Sequence, residues 1–128
     1  LNDMALPPCH YGFQIYINNN KLSLSWNQRS VDVFLGLPYD IAMYGLLLLM
    51  LAKGNGYEPG QLIAFMGDCH LYNNHINQAE EYLNRKDLKL PSVLIKKGLS
   101  LPIEIPKHSD FELINYNPQK PIKAPLST

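Results

Sequence analysis

Two short stretches of alternating apolar and polar positions, Phe13-Gln14-Ile15-Tyr16-Ile17 and Leu22-Ser23-Leu24-Ser25-Trp26, flank the polar run Asn18-Asn19-Asn20-Lys21. A period of two with that punctuation predicts a β-hairpin that supplies sheet core. From Ile41 to Ala52 the sequence is almost continuously apolar. This run falls short of the roughly 20 residues that span a bilayer, so it predicts a buried core helix. Pro38 and Asp40 open or cap the helix, which runs to about Lys53, and Gly54-Asn55-Gly56 ends it.

Farther along, Gln61 to Met66 has the pattern of a strand, and Asp68 to about Asn84 that of an amphipathic helix ending near Arg85 and Lys86. Strands are also expected at Ser92–Lys96, Leu101–Ile105 and Asp110–Asn115. After them Pro118, Pro121 and Pro125 impose an extended tail. Five or six strands with two substantial helices predict an α+β fold, a mixed sheet covered by helices on one face, whose other face would need a partner. No repeat or domain boundary interrupts the pattern, so residues 1–128 are expected to form one domain.

A length of 128 residues and 46% hydrophobic content fit a folded domain rather than a disordered chain. Eleven basic and eleven acidic residues cancel, which points away from nucleic acid and anionic membrane surfaces as partners. Cys9 and Cys69 lie far apart and outside any CxxC or zinc spacing, so neither a disulfide framework nor a structural metal is expected. The opening Leu1-Asn2-Asp3 carries no signal-peptide pattern, which implies a cytoplasmic location; the absent initiator Met suggests that Leu1 is not the natural start of the protein.

Three clusters carry candidate chemistry. A free cysteine such as Cys9 in Leu6-Pro7-Pro8-Cys9-His10 is more often an inert small hydrophobe than a nucleophile. The neighbouring His10 would face the opposite way on a strand, and a cation close by is what would favour the thiolate. Arg29 lies in Gln28-Arg29-Ser30-Val31-Asp32, a compact polar cluster that can hold an anion or simply form a salt-bridged strand end. In Gly67-Asp68-Cys69-His70-Leu71-Tyr72-Asn73-Asn74-His75 the histidines are spaced five apart, which suits metal ligation on a helix poorly. His70 and Tyr72 suit a sugar hydroxyl better, and Cys69 is expected to be a buried thiol.

Taken together and in order, Ala5–His10 (ALPPCH), Gln28–Ala42 (QRSVDVFLGLPYDIA), Gly67–His75 (GDCHLYNNH) and Ile122–Pro125 (IKAP) resemble the thymidylate synthase family, over almost the whole chain. The resemblance implies that Cys9 attacks C6 of a deoxypyrimidine 5′-monophosphate, so that C5 takes the one-carbon unit of the co-substrate 5,10-methylenetetrahydrofolate. It further implies that Arg29 and Ser30 bind the phosphate beside Gln28, with the Arg29 charge favouring the Cys9 thiolate. Asp32 would hydrogen-bond the pterin, with Leu35, Gly36 and Tyr39 as further folate contacts, while His70 and Tyr72 hold the deoxyribose. The tail Leu126-Ser127-Thr128 would fold over the bound ligands, which adds Ser127 to the folate contacts.

Asp40 departs from the family, which has asparagine at this position. An asparagine amide matches the N3–H and O4 edge of uracil, whereas a carboxylate only accepts. Cytosine offers an amino donor at N4 and an acceptor at N3, which a buried aspartate that is protonated or shares a proton with N3 would match. Deoxycytidylate hydroxymethylases are similar in having aspartate here. Asp40 is therefore expected to act beside Cys9 and to select dCMP over dUMP; as a simple helix cap it would leave uracil the substrate.

Asn27 replaces a common tyrosine and Ser127-Thr128 a small apolar ending, so a more polar lid could admit water and yield hydroxymethyl in place of methyl. The family's N-terminal half, with its catalytic glutamate, folate-contacting tryptophan and further arginines, has no counterpart in this sequence. The expected assembly is therefore a homodimer, a complex with a companion N-terminal half, or both. A non-catalytic nucleotide-binding fragment is the competing reading.

Overall fold

The computed structural model describes residue 4 and residues 6–99 and 106–127. The expected hairpin forms from β1 (His10–Asn18) and β2 (Lys21–Asp32), paired antiparallel with Phe13 opposite Trp26, Ile15 opposite Leu24 and Ile17 opposite Leu22. Asn19 and Asn20 close it with φ of 47° and 61°. Two successive positive φ values match the right-handed twist of the strands, and asparagine tolerates them better than most residues.

The helix α1 (Leu37–Gly54) carries the chain back along the sheet, and β3 (Glu58–His70) then pairs parallel to β2. The resulting three-stranded mixed sheet has the order β1-β2-β3. Leu22, Leu24 and Trp26 point to one face of β2, where they form the core with Tyr44, Leu48 and Ala52 of α1. Trp26 stacks on Tyr44 with ring centroids 4.7 Å apart. Burial of these side chains stabilises the packing by about 1.5–3 kcal/mol for each large apolar group.

Several expectations need correction. The helix α1 covers the expected span from Pro38 to about Lys53 but is only half enclosed: Tyr44, Leu48 and Ala52 are buried, but Ile41 and Met43 are 47% and 51% exposed. Its length and mean hydropathy of 1.2 meet the requirement for crossing a bilayer, but its inward stripe rests on the sheet, as in a core helix. The helix expected from Asp68 to Asn84 begins later, because Asp68–His70 extends β3 beside the polar end of β2. A 3₁₀ turn (Asn73–His75) follows, and then the short helix α2 (Ile76–Leu83).

Among the described residues, three strands enter the main sheet. Ser92–Ile95 (β4) and Phe111–Ile114 (β5) instead form a separate antiparallel pair, the expected strand Leu101–Ile105 lying outside the described residues. A backbone bond from Leu99 N–H to Met50 O (2.9 Å) and a side-chain bond from Asn55 Nδ2 to Leu99 O (3.1 Å) tie the segment after β4 to the end of α1. The class is α+β with a mixed sheet. Phe13, Ile15 and Ile17 on one face and Ile63 and Phe65 on the other remain partly open.

Candidate active site

The parallel register sets Ser30 beside Asp68 and Asp32 beside His70, so the polar ends of β2 and β3 finish together. Gly67 permits this approach, since a side chain there would meet the Arg29 carbonyl oxygen at 2.7 Å. On the other side of β2, Arg29 N–H donates to the Cys9 carbonyl at 2.9 Å, and His10 pairs with Gln28. Three motifs separated by tens of residues thus meet at one end of the sheet, where α1 also begins.

Cys9 is half-buried and free. The Arg29 guanidinium holds the chain just before it: Nε donates to Pro8 O at 3.1 Å and Nη2 to Pro7 O at 2.7 Å. Arg29 itself is exposed and Ser30 half-buried. A planar fork that spans two carbonyls positions the cysteine segment as one ammonium could not. Cys69, expected to be buried, is exposed instead, because β3 extends past its covered part and turns this side chain outward.

Asp32 shapes its own loop. Its Oδ1 accepts from the amides of Phe34 (2.9 Å) and Leu35 (3.1 Å), while its carbonyl accepts from Gly36 N–H at 3.0 Å. The side chain thereby fixes the tight turn that leads into α1, along which Leu35 and Gly36 are half-buried and Tyr39 is exposed. His70 and Tyr72 lie together, their rings edge to face with centroids 4.9 Å apart. Ser127 donates through Oγ to Asn74 Oδ1 at 2.7 Å, which brings the tail to the turn after β3; Thr128 is outside the described residues.

Asp40 stands at the centre of a polar network within the core. Gln28 is 3% exposed, and its Nε2 donates to Asp40 Oδ2 at 2.8 Å and to Ser30 O at 3.1 Å. Trp26 Nε1 donates to Gln28 Oε1 at 3.2 Å, which sets the amide's orientation. The other carboxylate oxygen lies 3.3 Å from His10 Nε2, and His10 Nδ1 lies 3.2 Å from the Tyr44 hydroxyl. Burial, and after it the charge of Asp40, raises the Tyr44 pKa above the ordinary tyrosine value. Tyr44 therefore keeps its proton and can donate to His10 Nδ1, while the other ring nitrogen of His10 faces the Asp40 carboxylate within ion-pair range.

The sequence alone gave no prominence to His10, Trp26 and Tyr44. The signals were present, since Trp26 and Gln28 share one face of a strand, and Asp40 and Tyr44 are one helical turn apart. Among the described residues, no group of three or more His, Cys, Asp or Glu is placed to hold a metal ion.

The sequence model of thymidylate synthase matches residues 1–128. The chain belongs to the thymidylate synthase family. A thymidylate synthase of Mycoplasma mobile is 49% identical over 127 residues, which are 99% of this chain and 44% of that protein. One from Francisella tularensis subsp. holarctica is 49% identical over 123 residues, 96% of this chain and again 44% of the relative. This family member therefore spans less than half the length of these curated relatives, and the match takes in all four sequence motifs.

Proposed function

We propose that the chain is the nucleophile-bearing part of a thymidylate-synthase-family enzyme that transfers a one-carbon unit from methylenetetrahydrofolate to C5 of a deoxypyrimidine 5′-monophosphate. In this reading the Cys9 thiolate adds to C6, and C5 then bonds to the folate methylene and loses its proton. Departure of the folate leaves an exocyclic methylene on C5, and addition at that carbon precedes release of Cys9. Arg29 and Ser30 hold the phosphate, His70 and Tyr72 the deoxyribose, and Asp32, Leu35, Gly36, Tyr39 and Ser127 the folate. A second subunit and an N-terminal portion complete the site.

The convergence of donors on Asp40 carries the choice of base. A carboxylate that already accepts from Gln28 and lies beside the His10 ring has only acceptor lone pairs to offer a ligand. It fits the N4 amino group of cytosine and a proton shared with N3, whereas it would set negative charge against O4 of uracil. The proposed substrate is thus dCMP. The polar Ser127 in the tail favours, as a second reading, a hydroxymethyl product formed by water in place of a hydride from the folate.

The test joins this chain to the N-terminal portion of the protein and supplies nucleotide and methylenetetrahydrofolate. One-carbon transfer that disappears in Cys9→Ala is expected. Nucleotide binding without transfer in the unaltered protein would favour a non-catalytic nucleotide-binding module and overturn the enzymatic reading.

A further inference from the structure

His75 is 0% exposed, at the end of the 3₁₀ turn ahead of α2. Its Nε2 lies 2.7 Å from the carbonyl oxygen of Pro125, fifty residues along the chain. A carbonyl only accepts, so Nε2 carries the proton and Nδ1 is a bare acceptor. That Nδ1 is buried and makes no hydrogen bond. An unsatisfied buried acceptor opposes folding, so the fold bears a cost at one nitrogen while the other presents a donor to the tail. The neighbouring Asn74 fastens the tail at a second point by accepting from Ser127 Oγ.

The same ring touches both expected ligand-binding segments. It lies 5.6 Å from the ring of Phe34, in the turn shaped by Asp32, and 5.7 Å from that of Tyr72, which is edge-on to His70. One imidazole therefore joins the folate-side turn, the sugar-side pair and the tail.

We propose that Asn74 and His75 form a clasp that seats residues 124–127, with His75 the positioning residue for tail closure over the active site. Neither residue needs to touch a ligand. The clasp itself follows from the geometry, and only its consequence for catalysis rests on the family reading above.

The test uses the intact protein, with this chain and its N-terminal portion, and three variants. His75→Phe keeps a ring and removes the donor, His75→Gln keeps an N–H near the position of Nε2, and Asn74→Ala removes the second anchor at an exposed position. Amide hydrogen exchange at Ala124, Leu126 and Ser127 is expected to accelerate about tenfold in His75→Phe and several-fold in Asn74→Ala, with His75→Gln close to the unaltered protein. The KM for methylenetetrahydrofolate should rise in the first two more than kcat falls, with nucleotide affinity unchanged. Unaltered exchange in both would overturn the clasp. Should His75→Phe fail to fold, Asn74→Ala decides; should the unaltered protein show no turnover, the proposed enzymatic function fails while exchange still tests the clasp.

Discussion

Gln28 and Asp40, one on a strand and the other on the helix that follows it, are joined by a 2.8 Å hydrogen bond from Gln28 Nε2 to Asp40 Oδ2. This bond ties Asp40, the proposed base-reading residue, to the hydrophobic core, because the other end of the Gln28 amide is held by buried Trp26. Asp40 is thus fixed in orientation before any ligand arrives, and the energy of ordering it is part of folding.

Removing that support should be visible in stability. Gln28→Leu leaves the indole N–H of Trp26 without its acceptor and Asp40 with one donor fewer. A loss of about 1–3 kcal/mol is expected, measured by urea unfolding of the intact protein. Specificity for the base should weaken in the same variant.

Tyr44 supplies a pH signature. Its pKa is raised by burial and then by the Asp40 charge, so the folded form holds this proton more tightly than the unfolded chain. The corresponding stability is fully present below the unfolded value of about 10 and is lost as pH rises through the higher folded value. Ultraviolet titration should show one of the eight tyrosines ionising late, and Tyr44→Phe should remove that component.

Arg29 bridges the carbonyls of Pro7 and Pro8 with two of its nitrogens. Arg29→Lys keeps the charge and loses the fork. In the assembled protein, nucleotide affinity is expected to fall about tenfold, equivalent to about 1.4 kcal/mol, as measured by calorimetry. Unchanged affinity would remove Arg29 from the phosphate site.

Much of this organisation was legible in the chain. The hairpin followed from strict alternation around three asparagines, and the four motifs named the family. The placement of Asp68–His70 was not legible, since its polar residues fit a helix start as well as a strand end, and only the parallel pairing with Ser30–Asp32 decides between them. The half-open face of α1 was hidden for a different reason: an all-apolar helix does not say which residues cover it, and this chain spans 44% of its relatives. The His10–Asp40–Tyr44 link depends on a strand and a helix meeting in space, and local pattern carries no trace of that contact.

Release of tritium from C5 tests the central claim most directly. With methylenetetrahydrofolate and the N-terminal portion present, release is expected from labelled dCMP and roughly 100-fold less from dUMP, since a site built around one hydrogen-bonding pattern rejects the reversed one strongly. Asp40→Asn should reverse that preference. Release from dUMP alone by the unaltered protein would contradict the reading of Asp40 and make this a dUMP-methylating member of its family.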